Sequence, residues 1–271
     1  MKHLGSLMIL SSIYLLTLLL GMQAATVMFP LMYPPPGEEQ VIQPIVSNPQ
    51  SPYASAQLFV YILIMTGVLL VLMRLGLGII IRILLSFSII TGIILSTTLL
   101  FDWLGLILAA ILILLYILRR KDYNVVNIAL VFTIAGIGAI LGSSLSIIPA
   151  LILVVIISVY DYISVYITKH MVAIAENAKG TMPLMFLIPI GDKELGLGTG
   201  DIAIPLTVCV SILKDYGVGY AIPTALGGLM GLMALFFYVE QKKEHAAMPA
   251  LPPITAGLLL ALGLCFLILG F

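Results

Sequence analysis

Asp161 and Asp201 are the two residues that ask for an explanation first. Each stands inside a long apolar stretch, and the other ten acids fall in polar linkers or at the ends of such stretches. A carboxylate in the middle of a bilayer costs about 2.5–3.5 kcal/mol on insertion scales, so one that is kept there usually does something. Two carboxyls in a low-dielectric site cannot both ionise comfortably, and near neutrality such a pair tends to share one proton. A pair of this kind can activate a water with one member and protonate a carbonyl oxygen with the other, hydrolysing a peptide bond without metal, histidine or covalent intermediate.

The elements that must carry these residues follow from composition. The chain has 271 residues, 62% of them hydrophobic and 9% charged, with no net charge. Soluble domains are nearer a quarter charged, and the apolar runs are long rather than alternating, so the expectation is an all-α polytopic membrane bundle. A zero net charge gives no footprint for nucleic acid. Cys209 and Cys265 lie in apolar runs and read as core packing.

Nine apolar segments can be marked, near 4–29, 53–73, 75–100, 103–118, 125–145, 147–168, 196–213, 217–239 and 249–270. The first follows Met1-Lys2-His3 but is too long for the apolar core of a signal peptide, and it reads as a retained helix. The proline-rich linker 30–52 is expected to be an extended, poorly ordered loop. Nothing marks a repeat, so residues 1–271 read as one domain: six helices to about 168, a cytoplasmic loop 169–195, and three helices from about 196 to 270.

A cytoplasmic N-terminus and an outside C-terminus place ten Lys and Arg residues on the inside and only Lys214 outside, with Arg82 inside a span. That is a strong positive-inside pattern. It puts Asp161 about 12 Å from the inner end of the sixth segment, and Asp201 about 10 Å into the seventh if that segment is helical throughout. The two acids thus share a depth on consecutive antiparallel segments.

The surroundings suit a wet site. Ser158, Asp161, Ser164 and Thr168 recur at three- and four-residue steps and form one polar stripe. Gly196, Gly198 and Gly200 strip side chains from the approach to Asp201, and Pro205 removes a helix hydrogen bond four residues beyond it. Pro249, Pro252 and Pro253 crowd the entry to the last segment on the same membrane side.

Three motifs then carry a resemblance. Tyr160-Asp161, Gly198-Thr199-Gly200-Asp201 and Pro249-Ala250-Leu251 look like the YD, GxGD and PAL motifs of presenilins and signal peptide peptidases, in that order, on segments six, seven and nine. Size and the lack of extra domains suggest an archaeal-type presenilin homologue. The resemblance implies an intramembrane aspartyl protease with Asp161 and Asp201 as its dyad. It also implies site-shaping roles for Tyr160, Gly198, Thr199, Gly200, Pro249, Ala250 and Leu251, no metal, and no cofactor beyond water. Threonine at the variable position departs from the leucine common in eukaryotic members, and the short link between the two acids gives no expectation of self-cleavage there. Partners would be the bilayer and single-pass helices with their N-termini outside; a homo-oligomer is left open, and the cell membrane is the expected location.

Two other readings use the same residues. A prepilin or preflagellin peptidase shares the GxGD but not the other two motifs. A proton-coupled transporter or channel would use the acids as a relay, but no inverted repeat accompanies them. The three histidines lie outside the spans and there is no HExxH, which argues against a zinc protease. Gly142-Ser143-Ser144-Leu145-Ser146 has no histidine within a span to activate a serine. Within the loop, the apolar run 184–190 could offer a strand edge to an unwound substrate.

Overall fold

The structure, a computed structural model, describes residues 4–46, 48–166, 185–190, 193–241 and 248–270. Five helices come first: α1 (Leu4–Met32), α2 (Tyr53–Arg74), α3 (Gly78–Leu118), α4 (Tyr123–Ser143) and α5 (Ile147–Tyr166). A two-stranded hairpin follows, β1 (Met185–Ile190) and β2 (Lys193–Gly198). Then come α6 (Gly200–Tyr216), α7 (Val218–Gln241) and α8 (Leu251–Leu269). Seven of these helices, all but α6, are long and apolar enough to cross a membrane.

The 41 residues of α3 would make a straight rod of about 62 Å, twice the hydrocarbon thickness. The rod is not straight. Asp102 has φ 49° and ψ −128°, and beyond it the chain doubles back, so that a methyl on Gly105 would collide with the backbone of Thr97 and Thr98. The two arms of α3 are the third and fourth apolar segments, meeting at the acid that separated them in the sequence.

The middle of the bundle is α6. Residues 202–213 are all buried, as expected of a helix that is apolar on every side. Glycine lets its neighbours approach. Leu206 of α6 fills the space over Gly21 of α1 and Gly138 of α4, and Val210 does the same over Gly142. Such small-residue contacts hold membrane helices together by close packing where lipid offers no hydrophobic drive. On the far side, Gly227 and Gly231 of α7 bring that helix against Gly257 and Pro253 of α8. The outward faces are apolar: Ile79, Trp103, Met230 and Leu267 are largely exposed.

Two expectations need correction. The linker 30–52 is docked rather than loose. Val46 is buried, Ile45 N–H donates to Ser144 Oγ at 3.1 Å, and Ser146 N–H donates to the Pro49 carbonyl at 3.0 Å. The serines after α4 supply polar groups that the proline count did not reveal. The second correction concerns the seventh segment, which does not begin as helix at 196. Leu195-Gly196-Leu197-Gly198 alternates with period two and is paired in β2, because glycine is a poor helix former and the alternation suits a strand. The helix begins only at Gly200.

Candidate active site

Asp161 lies near the C-terminal end of α5 and Asp201 in the first turn of α6. Both are at the same end of the bundle, and the Asp161 carboxylate is within electrostatic reach of Asp201. Asp201 is therefore not mid-helix but at a helix N-terminus, where unpaired N–H groups and the helix dipole favour a carboxylate. Pro205 has no N–H to give to the Asp201 carbonyl, so the first turn is loosened at the residue that carries the acid.

Backbone N–H groups hold both carboxyls: those of Leu251 and Ala250 reach Asp161, and that of Gly198 reaches Asp201. Leu251 N–H donates to Asp161 Oδ2 at 3.2 Å, and Gly198 N–H donates to Asp201 Oδ2 at 3.1 Å. The first of these explains the proline cluster. Leu251, Pro252 and Pro253 form the first turn of α8, and the two prolines have no N–H. Leu251 is left as the single donor among these three positions, and it is aimed at Asp161. Pro249 and Ala250, just before the helix, are buried.

The glycines divide into three cases. A methyl on Gly198 would lie 2.9 Å from Asp201 Oδ2, closer than a real contact tolerates. A methyl on Gly196 would lie 2.5 Å from Met185 Sδ across the hairpin. Gly200 is exposed and has no described atom within 4 Å of where its Cβ would be, so the backbone beside Asp201 is open. Thr199 precedes α6, and its carbonyl accepts from Ile202 and Ala203.

The polar stripe on α5 turns inward. Ser158, Asp161 and Ser164 are buried, and Ser164 Oγ donates to the Asp161 carbonyl at 2.9 Å. Thr168 lies outside the described residues. Tyr160 is about 100° round the helix from Asp161 and its ring meets Phe59 of α2 edge-on, centroids 5.8 Å apart. The structure thus brings together Asp161, Asp201, Gly198 and Leu251, and sends the Tyr160 ring toward α2.

Sequence reasoning missed what seats the hairpin. Asn127 of α4 donates from Nδ2 to the Leu187 carbonyl at 2.8 Å and accepts from Leu187 N–H at 3.1 Å. Ser6 Oγ donates to the Pro189 carbonyl. Phe186 and Ile188 bury their side chains in the bundle. The signal was present: Asn127 is a buried amide near the start of an apolar segment, and such a group needs partners.

Comparison with known proteins gives this geometry a family. A family model described as signal-peptide peptidase, presenilin aspartyl protease matches residues 6–268. The chain belongs to that family. Its members are aspartyl proteases, so the chain is a hydrolase and a multi-pass membrane protein. Two solved structures of a presenilin-family intramembrane aspartate protease, in C222 and P2 crystal forms, share the fold. The first has a TM-score of 0.63 at 24% identity and the second 0.67 at 24%. The first match covers 94% of each chain, the second 98% of this chain and 97% of the other. No curated protein matches the chain.

Proposed function

We propose that this family member cleaves peptide bonds inside the transmembrane helices of single-pass proteins, using Asp161, Asp201 and one water. The observation that carries the reading is the meeting of Asp161 and Asp201 at one end of the bundle, each with Oδ2 tied to a backbone N–H. With one proton between the pair, the ionised carboxylate takes a proton from water as the water oxygen attacks the scissile carbonyl carbon. The protonated carboxyl gives its proton to the carbonyl oxygen. The tetrahedral gem-diol collapses, the C–N bond breaks, and the amine leaves with a proton from the dyad.

A helical peptide bond is shielded by its own hydrogen bonds, so the substrate must unwind. We place the unwound strand on β2 rather than on the run 184–190. The β1 edge that faces away from β2 is taken up at Leu187 by Asn127 and at Pro189 by Ser6. Because Leu187 is bonded outward, its partner Gly196 is a non-hydrogen-bonded pair, and its N–H and C=O point to the other edge of the hairpin. Among the described residues no strand covers that edge. It runs straight on to Gly198 and Asp201. Strand addition there would deliver a peptide bond to the dyad.

The rest of the proposal is topological. The chain acts as one domain. Nine crossings, with the two arms of α3 counted separately, put the N-terminus in the cytoplasm and the C-terminus outside, in the cell membrane. Substrates would enter with their N-termini outside. The test is incubation of purified protein with a single-pass substrate and mass spectrometry of the products. Cuts within the substrate's membrane segment are expected. Ion flux in liposomes without any cleavage would replace this reading with the relay.

A further inference from the structure

At the end of the bundle opposite the two acids, α6 is bound to the turn that joins α4 to α5. Ser211, Lys214 and Asp215 lie at spacings that put them on one face of α6. Ser211 Oγ donates to the Leu145 carbonyl at 3.0 Å. Lys214 Nζ donates to the Ser143 carbonyl at 3.1 Å and also to that of Leu145. Asp215 Oδ2 accepts from Ile147 N–H at 2.7 Å. Ser143 is the last residue of α4 and Ile147 the first of α5. A cation thus meets the carbonyls that a helix end leaves unpaired, and an anion meets the N–H groups at the start of the next helix.

The spacing gives this clamp a consequence at a distance. Asp161 is fourteen residues after Ile147 on α5, and Asp201 is fourteen residues before Asp215 on the antiparallel α6. Both intervals are about 21 Å at helical rise. Two antiparallel helices of equal rise, pinned together at Ile147 and Asp215, must therefore bring Asp161 and Asp201 level with each other.

We infer that Ser211, Lys214 and Asp215 are positioning residues that set the register of α5 against α6, and through it the level of the two acids. This rests on the proposed dyad for its catalytic meaning, but the register itself does not. Slippage by a fraction of a turn would separate the two acids while the hydrophobic packing of both helices remained. The polar bonds are what choose one register, since leucine and valine surfaces alone pack in several.

The experiment reads register and catalysis separately. In the full-length purified protein with C209A and C265A, the pair D161C and D201C is treated with a short thiol–thiol crosslinker. The crosslink is expected to form with the clamp intact and to fall at least fivefold when K214M and D215A are added. In the protein with both acids present, K214M with D215A should lower kcat by about 10²-fold, the loss associated with a misplacement near 1 Å, with KM within twofold. D215N, which keeps an acceptor oxygen for Ile147, should restore most of the loss caused by D215A. If the double variant does not fold, S211A and D215A singly carry the same expectation with smaller losses in both readouts. Crosslinking at the undisturbed rate in any folded clamp variant would overturn the inference. Proteolysis surviving in D161N, with crosslinking still dependent on the clamp, would refute the catalytic dyad and leave the register device standing.

Discussion

Gly198→Ala tests whether the glycine before the acid is there for the backbone or for the carboxylate. The added Cβ would stand 2.9 Å from Asp201 Oδ2 and 3.4 Å from its Cγ. An ordinary carbon–oxygen contact is a few tenths of an ångström longer. The carboxylate, at the end of a short flexible side chain, is what must give way, and the 3.1 Å bond from Gly198 N–H is bent as it does. Misplacing a reacting group by 1 Å costs about 10²-fold in rate, so a shift of roughly half that should lower kcat by about 10-fold. Stability should hardly change, because the atom displaced is neither backbone nor packed core. The assay is steady-state cleavage of a single-pass substrate, with thermal unfolding measured alongside. A kcat within twofold of wild type would show that Asp201 is not held where the structure has it. A fall in Tm matching the fall in activity would show that Gly198 serves the fold instead.

Two further substitutions probe the supports of the site. Asn127→Ala leaves the outward N–H and C=O of Leu187 without their partner, a loss of about 1–3 kcal/mol in hairpin docking; hydrogen exchange across residues 185–198 should accelerate and KM should rise. Gly138→Val puts a Cβ within 2.6 Å of both Leu206 Cγ and Leu206 Cδ2 and should destabilise the bundle by about 1–3 kcal/mol, with Leu206→Ala recovering part of that loss in thermal unfolding.

The sequence makes the helical bundle and the two acids legible because both depend on local signals. Apolar length marks the helices, and a charge inside such a run marks itself. The YD, GxGD and PAL motifs stand in order on three separate apolar segments. Other features depend on contacts between distant residues. The hairpin was half visible as the alternation in Leu195-Gly196-Leu197-Gly198, but helical hydropathy over 196–213 masked it. The seat of that hairpin needs Asn127, sixty positions away from Leu187. The role of Leu251 and Ala250 is carried by their backbone N–H groups, which no residue type announces. The bonds that tie Ile45 and Pro49 of the linker 30–52 to the bundle are not legible, because proline signals the lack of regular structure, not the lack of partners.

The central claim is that one chain hydrolyses peptide bonds with Asp161 and Asp201 acting together. Its most direct test is single-turnover cleavage of one substrate by wild type, D161N, D201N and a mixture of the two variants. The account predicts cuts within the membrane segment by wild type, none above background by either variant, and none by the mixture, since each chain would still lack half of its dyad. Cleavage at the wild-type rate by either variant would contradict it.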